Sequence, residues 1–225
     1  MKKSLALDIN GLPEAVIFWH GTDSKWVYTC PLGGDEFEIT ARIREPDADD
    51  RSSWGRDASI QHFVESFKEF CPPVKQLLGQ VSNIQRYDFF AGPRLETVIN
   101  HDSVVLIGDA SDPLSGAFGA GAGFALEDAY VLGEAIQWAR SSDRSLKSAL
   151  ELFDNVRSTH YKGLYDVLDE FGAAESELKF ISPPLQPLEE IESRIKGVWD
   201  PKHNWMYYYE VSQATVFLGS FATAI

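Results

Sequence analysis

The residues best equipped for chemistry are gathered in one stretch, Gly108 to Ala129. Asp109 closes a short apolar run, a loop with Asp112 and Pro113 follows, and Gly119, Gly121 and Gly123 open onto Glu127 and Asp128. A helix entered through such a turn presents unpaired amides and the positive end of its dipole, which suit a phosphate or a developing anion. Glycines let a flat ligand come close to the backbone. A carboxylate at the end of a buried strand can accept hydrogen bonds from sugar or ribitol hydroxyls. The same pattern also fits a turn whose glycines serve only tight strand–helix packing, and residue types leave both readings standing.

Other reactive residues form no comparable pattern. His20, His62, His101, His160 and His203 lack the spacing of metal ligands, so no metal site is expected. Cys30 and Cys71 are far apart, which fits a reducing compartment and offers no disulfide framework. The net charge of -14 disfavours nucleic acid, whose phosphates need clustered Lys and Arg, and also an anionic membrane surface. Asp47, Asp49 and Asp50 read as a solvated loop. Met1 to Asp8 is too short and polar for a signal peptide, and Glu210 and Gln213 interrupt the apolar tail Trp205 to Ile225. A cytoplasmic protein with a packed terminal tail is expected.

The elements that must position the motif change in character along the chain. Val16 to Trp19 and Trp26 to Thr29 are β-branched and aromatic, each closed by turn residues. From Phe37 to Arg44 apolar and polar residues alternate, so three strands of an antiparallel meander are predicted. A helix carrying Ile60, Phe63, Val64 and Phe67 follows, capped by Asp57 or Ser59, then a short helix over Val74 to Leu78 and a strand over Arg86 to Phe90. Val104 to Ile107 is apolar on both faces, as in a covered parallel strand. Three helices are read from apolar stripes: Ala125, Ala129, Leu132, Ile136 and Ala139; Leu146, Ala149, Leu150, Phe153, Leu164 and Val167; and Leu188, Ile191, Ile195 and Val198.

From Gly108 to Ala129 the sequence resembles the second flavin-binding motif of the class A FAD-dependent aromatic monooxygenases, particularly salicylate-hydroxylase-like fungal members. Gly108, Asp109, Ala110 and Pro113 match its Gly-Asp-Ala-x-His-Pro element; Gly119, Gly121, Ala122, Glu127, Asp128 and Ala129 match the Gly-x-Gly-Ala…Glu-Asp-Ala element. Phe18 to Gly21 with Val27 to Gly34 looks like the family's middle sheet, and Asp154 to Tyr161, with Arg157, like its following helix. The likeness covers nearly the whole chain, loosely after Gly172. It implies an α/β (α+β) fold: an antiparallel sheet roofing the substrate (residues 1–95), a Rossmann-like FAD-binding half (96–180) and a helical tail (181–225). It further implies that Asp109 binds the flavin ribitol, that Gly119, Ala120, Gly121, Ala122 and Gly123 face the pyrophosphate and flavin, and that Pro113 lines the flavin pocket. Trp19, His20, Tyr28 and Pro31 become substrate-pocket candidates for a small aromatic molecule. In the family, NAD(P)H is the reductant and FAD with oxygen hydroxylates a phenolic ring. Glu127 and Asp128 read as helix-start and structural residues.

Two departures shape the expectations. Asp112 stands where the family usually has His, which makes it a candidate acid or base, with a turn-capping role as the alternative. No G-x-G-x-x-G follows a first strand, and the family's Asp-Gly region is not found. The chain is therefore expected to carry a truncated, incomplete FAD site and to act as part of a monooxygenase. A second chain with the nucleotide-binding half, or a homo-oligomer, would cover the exposed Val104 to Ile107 edge. The alternatives are a flavin-free enzyme of isomerase or cyclase type reusing the substrate pocket, and a non-catalytic remnant.

Overall fold

The computed structural model describes residues 1–45, 54–89, 94–114, 119–198 and 200–211. The chain is an α/β protein and divides into two compact units, neither continuous in sequence: residues 1–88 with 174–199, and residues 89–173 with 200–225. Asp47, Asp49 and Asp50 lie outside the described residues, as do Phe90 and most of the apolar tail beyond Val211.

The first unit is built on the expected meander, with strands β1 (Ile17–His20), β2 (Trp26–Pro31) and β3 (Phe37–Arg42) in that order. Phe18 lies opposite Tyr28, His20 opposite Trp26, and Val27 opposite Ala41. The two-residue period turns Trp19, Val27, Thr29, Phe37 and Ile39 to one face. That face packs on α1 (Lys3–Leu7), α2 (Ile60–Ser66) and α3 (Pro72–Leu78) through Ala6, Phe67, Val74 and Leu77. Ser59 caps α2 by accepting from the His62 amide at 3.2 Å, and Pro72 opens α3 where a missing N–H costs nothing. Gly21 is required after β1: a Cβ there would lie 2.7 Å from the Phe70 ring. The strand expected over Arg86 to Phe90 is only a two-residue pairing of β5 (Gln85–Arg86) with β4 (Arg56–Asp57).

In the second unit, β6 (Ile99–Asn100) pairs antiparallel with β7 (Val104–Val105) across a turn where His101 and Asp102 adopt positive φ. This corrects the expectation of a parallel strand covered on both faces over Val104 to Ile107. Val104, Leu106 and Ile107 remain 53%, 38% and 36% exposed, because a hairpin partner supplies one ladder and no crossover. Helices α4 (Gly121–Ser141) and α5 (Leu146–Phe180) follow, joined by a short turn. Small residues Ala135, Ala139 and Ala149 pack with Val131 and Phe153 in one cluster; Phe124, Tyr161, Leu164 and Val167 form a second with Leu114 and Met206. The buried stripe of α4 is Phe124, Asp128, Val131, Ala135 and Ala139, one position round from the predicted one. A buried carboxylate at Asp128 sets this rotation, and no apolar pattern reveals it. On α6 (Pro187–Val198), part of the first unit, Leu188 and Ile195 are 67% and 36% exposed. Among its described side chains the most buried is instead Arg194, held by Glu175 and Glu190.

The inward Trp19 indole N–H donates to Thr29 Oγ1 at 3.0 Å, and Thr29 is fully buried. Thr29→Val keeps the shape but leaves the indole unpaired, so urea denaturation should show a loss of about 1–3 kcal/mol. An unchanged midpoint would mean that water reaches the indole.

Candidate functional site

The Gly108–Gly123 motif stands on β7 and α4 of the second unit. After Val105 the chain stays extended to Ile107, and then Gly108 turns with φ +57° into one 3₁₀ turn, Gly108–Ala110. Glycine is needed there on two counts: the left-handed backbone, and a Cβ that would meet the Ala125 methyl at 3.2 Å. The Gly108 carbonyl accepts from the Ser111 and Asp112 amides at 3.0 and 2.9 Å and from Ser111 Oγ at 2.9 Å.

What fixes this turn is Asp128, which is 1% exposed. Its carboxylate accepts from the Gly108 amide at 2.8 Å, Tyr161 Oη at 2.9 Å and Arg157 Nε at 2.6 Å. Arg157 is equally buried; it also donates to Glu127 at 2.8 Å and the Phe124 carbonyl at 3.3 Å, and contacts His160 Nδ1 at 2.9 Å. Its guanidinium lies over the Phe124 and Tyr161 rings, 5.4 and 5.2 Å from their centroids. Burial opposes the Arg157 charge, yet the hydrogen bonds and charges of Asp128 and Glu127 hold its pKa above the ordinary value. Burial, with the Asp128 charge beside it, pushes Tyr161 up, so its hydroxyl stays a donor. Glu127 and Asp128 are thus structural, as their place near a helix start suggests.

The solvent-facing side is the opposite one. Asp109 is exposed and accepts no hydrogen bond among the described residues; a Cβ on Gly121 would lie 3.8 Å from its Oδ1. The α4 N-cap, Ala120, offers no side-chain acceptor. The first bond there is Phe124 N–H to Ala120 O at 3.0 Å, so among the described residues the amides of Gly121, Ala122 and Gly123 have no acceptor. Gly119, with φ +65°, and Gly123 have open space where a Cβ would stand. Pro113 is half-buried, while Leu114 beyond it joins the core. The geometry therefore offers a carboxylate acceptor and three amide donors at one cleared helix end, complementary to a ligand with hydroxyls and an anion. Asp112 is 9% exposed and accepts from Tyr165 Oη at 2.8 Å. Burial raises its pKa, partly offset by the hydrogen bonds from Tyr165 and Ser111.

In the first unit the sheet separates the four pocket candidates. His20 and Tyr28 share a face with Phe18 and Trp26, whose rings lie 4.9 Å from Tyr28 and 5.6 Å from Trp26 as measured from Phe18. Trp19 and Pro31 belong to the other face by register. Burial lowers the His20 pKa, so the imidazole is neutral at pH 7. The hydrogen bond with Cys30 pushes Tyr28 up to about 12. Sequence reasoning missed Tyr165 and the anchoring roles of Tyr161 and His160. Arg157, Tyr161 and Tyr165 recur every four residues, a polar stripe on an otherwise apolar helix face, and that spacing was the available signal.

No family model matches the chain. It is 28% identical over 145 residues to 3-hydroxybenzoate 6-hydroxylase of Klebsiella oxytoca, covering 64% of this chain and 35% of that enzyme. To the FAD-dependent monooxygenase SAT7 of Stachybotrys chartarum it is 35% identical over 99 residues, 43% of this chain and 21% of that one. The crystal structure of CtdE in complex with FAD and a substrate superposes with a TM-score of 0.67 at 13% identity, over 97% of this chain and 53% of that chain. Over part of its length the chain is similar in sequence to FAD-dependent aromatic hydroxylases, and it shares their fold. It spans 35% and 44% of the length of the first curated relatives it matches.

The buried pair behind the motif gives a direct test. Arg157→Met strands Asp128 and Glu127, and breaking such a pair should cost about 3–5 kcal/mol in chemical denaturation. The double variant Arg157→Met with Asp128→Leu should recover part of that loss, since the fully buried Asp128 charge leaves with its partner and only the more exposed Glu127 stays without Arg157. Additive losses would show that the two side chains act separately.

Proposed function

We propose that this chain is part of an FAD-dependent monooxygenase that hydroxylates a small aromatic or phenolic ring, with NAD(P)H as reductant. The observation that carries the reading is the helix end itself: an exposed Asp109 carboxylate beside three amides that no described residue claims, with open space at Gly119 and Gly123. Those residues fit FAD. Asp109 would accept from the ribitol hydroxyls; the amides of Gly121, Ala122 and Gly123 would take the flavin's anionic side; Gly119 and Ala120 leave the approach open; and Pro113 would border the ring. FAD, when bound, supplies the electron and oxygen chemistry, while the protein binds and orients. An aromatic substrate would be met by the Phe18, His20, Trp26 and Tyr28 face, where neutral His20 and protonated Tyr28 can hydrogen-bond a phenol. The Klebsiella oxytoca relative is a 3-hydroxybenzoate 6-hydroxylase, which supports this class. A covering partner chain or second copy over the Val104 to Ile107 edge belongs to the same reading.

Flavin fluorescence during FAD titration tests it. Asp109→Ala removes a charged acceptor, a change of about 1.5–3 kcal/mol, so affinity should fall about 10- to 150-fold. Binding that is unchanged in Asp109→Ala would reject the assignment.

A further inference from the structure

Asp112 is the one residue of the motif whose chemistry the flavin reading leaves unused. Its carboxyl is held on the inner side of the turn: the Asp112 amide donates to the Gly108 carbonyl at 2.9 Å, and the carboxyl accepts from Tyr165 Oη at 2.8 Å. The groups that face it are Ser111 on the turn, Asp128 on α4, and Arg157, Tyr161 and Tyr165 on α5. Behind Tyr165, the Arg94 guanidinium lies 4.3 Å from the ring centroid and is itself engaged by Asp169. Tyr165 and Ala120 pack against one cluster, so the carboxyl–phenol pair stands at the end of α4 that carries the free amides.

We infer that Asp112 and Tyr165 form a buried proton-holding pair, so that an anionic ligand binds at Asp109 and the N-terminal amides of α4 with uptake of a proton by Asp112. The inference rests on the flavin reading of this turn and adds a linked proton to it. In the free protein the unpaired amides and the dipole of α4 favour negative charge nearby. A bound diphosphate takes that support away and adds a like charge near the buried carboxyl, and both effects favour its neutral form. Tyr165 opposes the uptake, because its hydroxyl donates to the ionised form. Its own pKa is raised by burial and by Asp112, so it remains the donor throughout.

The sign for the folded protein follows from the same geometry. Burial already raises the Asp112 pKa, so its contribution to stability is full at acid pH and is lost as pH rises through the raised folded value. Asp112→Asn, which stays neutral, should therefore melt higher than wild type at pH 7 and alike at acid pH. Tyr165→Phe removes support for the carboxylate and should move that crossover to higher pH. A capping residue without a proton role would give differences in Tm that do not vary with pH.

Calorimetric titration in two buffers of different ionisation enthalpy reads the linked proton directly, with FAD and, separately, inorganic pyrophosphate as probes. Wild type should take up a fraction of a proton, approaching one above the free carboxyl's titration, and Asp112→Asn none. Wild-type affinity should fall up to tenfold per pH unit in that window, while Asp112→Asn stays flat. Equal uptake by Asp112→Asn, or none by wild type while FAD binds, overturns the inference and leaves the flavin reading standing. If neither probe binds, both fall; pyrophosphate binding without FAD binding keeps the proton linkage and removes the flavin.

Discussion

One carboxylate governs the motif. Asp128 is taken wholly out of water, which is tolerable only because three donors converge on it. One of them is the amide of Gly108, so the residue that starts the turn is fixed by a side chain twenty positions later, on α4. Another is Arg157 of α5, whose own burial is met by Asp128, Glu127 and the Phe124 carbonyl. Strand end, turn and two helices thus share one polar knot. Its parts are mutually dependent, since removing any member strands a buried charge or donor.

Legibility in the sequence followed periodicity. The meander was readable because Phe37, Ile39 and Ala41 alternate with polar residues, and α2 was announced by a cap at Asp57 or Ser59, of which Ser59 takes the part. The Gly108–Asp109 motif was readable because fixed residue types recur at fixed spacing. What failed were features decided by partners. The apolar run Val104 to Ile107 looked like a covered parallel strand, yet pairing depends on what lies beside it, and Ile99–Asn100 came back as a hairpin. The α4 stripe was misplaced by one position because the buried residue is an acid, and apolar counting treats acids as solvent-facing. Arg194 on α6 misled in the same manner. Buried charges are a blind spot of hydrophobic patterns, since their cost is offset only by partners that the local sequence does not show.

The site candidates fared unevenly for a geometric reason. Trp19 and His20 are adjacent, and adjacent residues on a strand point to opposite faces. No pocket on one face of this sheet can use both through their side chains. The aromatic face is therefore Phe18, His20, Trp26 and Tyr28, with Trp19 committed to the inner core through Thr29. A register could have been assigned beforehand from the alternation in β3, because the buried Phe37 and Ile39 fix which face of the sheet is inward.

The motif's acids divide by solvent and by partner rather than by position. Asp109 is exposed at a helix end that lacks a side-chain cap, and an ionised acceptor costs little there. Asp128 is buried but accepts from three donors, so it serves as part of the frame. Asp112 lies between these cases: buried like Asp128, yet given a phenol and no cation in hydrogen-bond contact among the described residues. A neutral donor stabilises a carboxylate less than a guanidinium does. Burial pushes the Asp112 carboxyl toward its neutral form while Tyr165 supports the ionised one, and such opposed influences let a charge respond to what binds beside it.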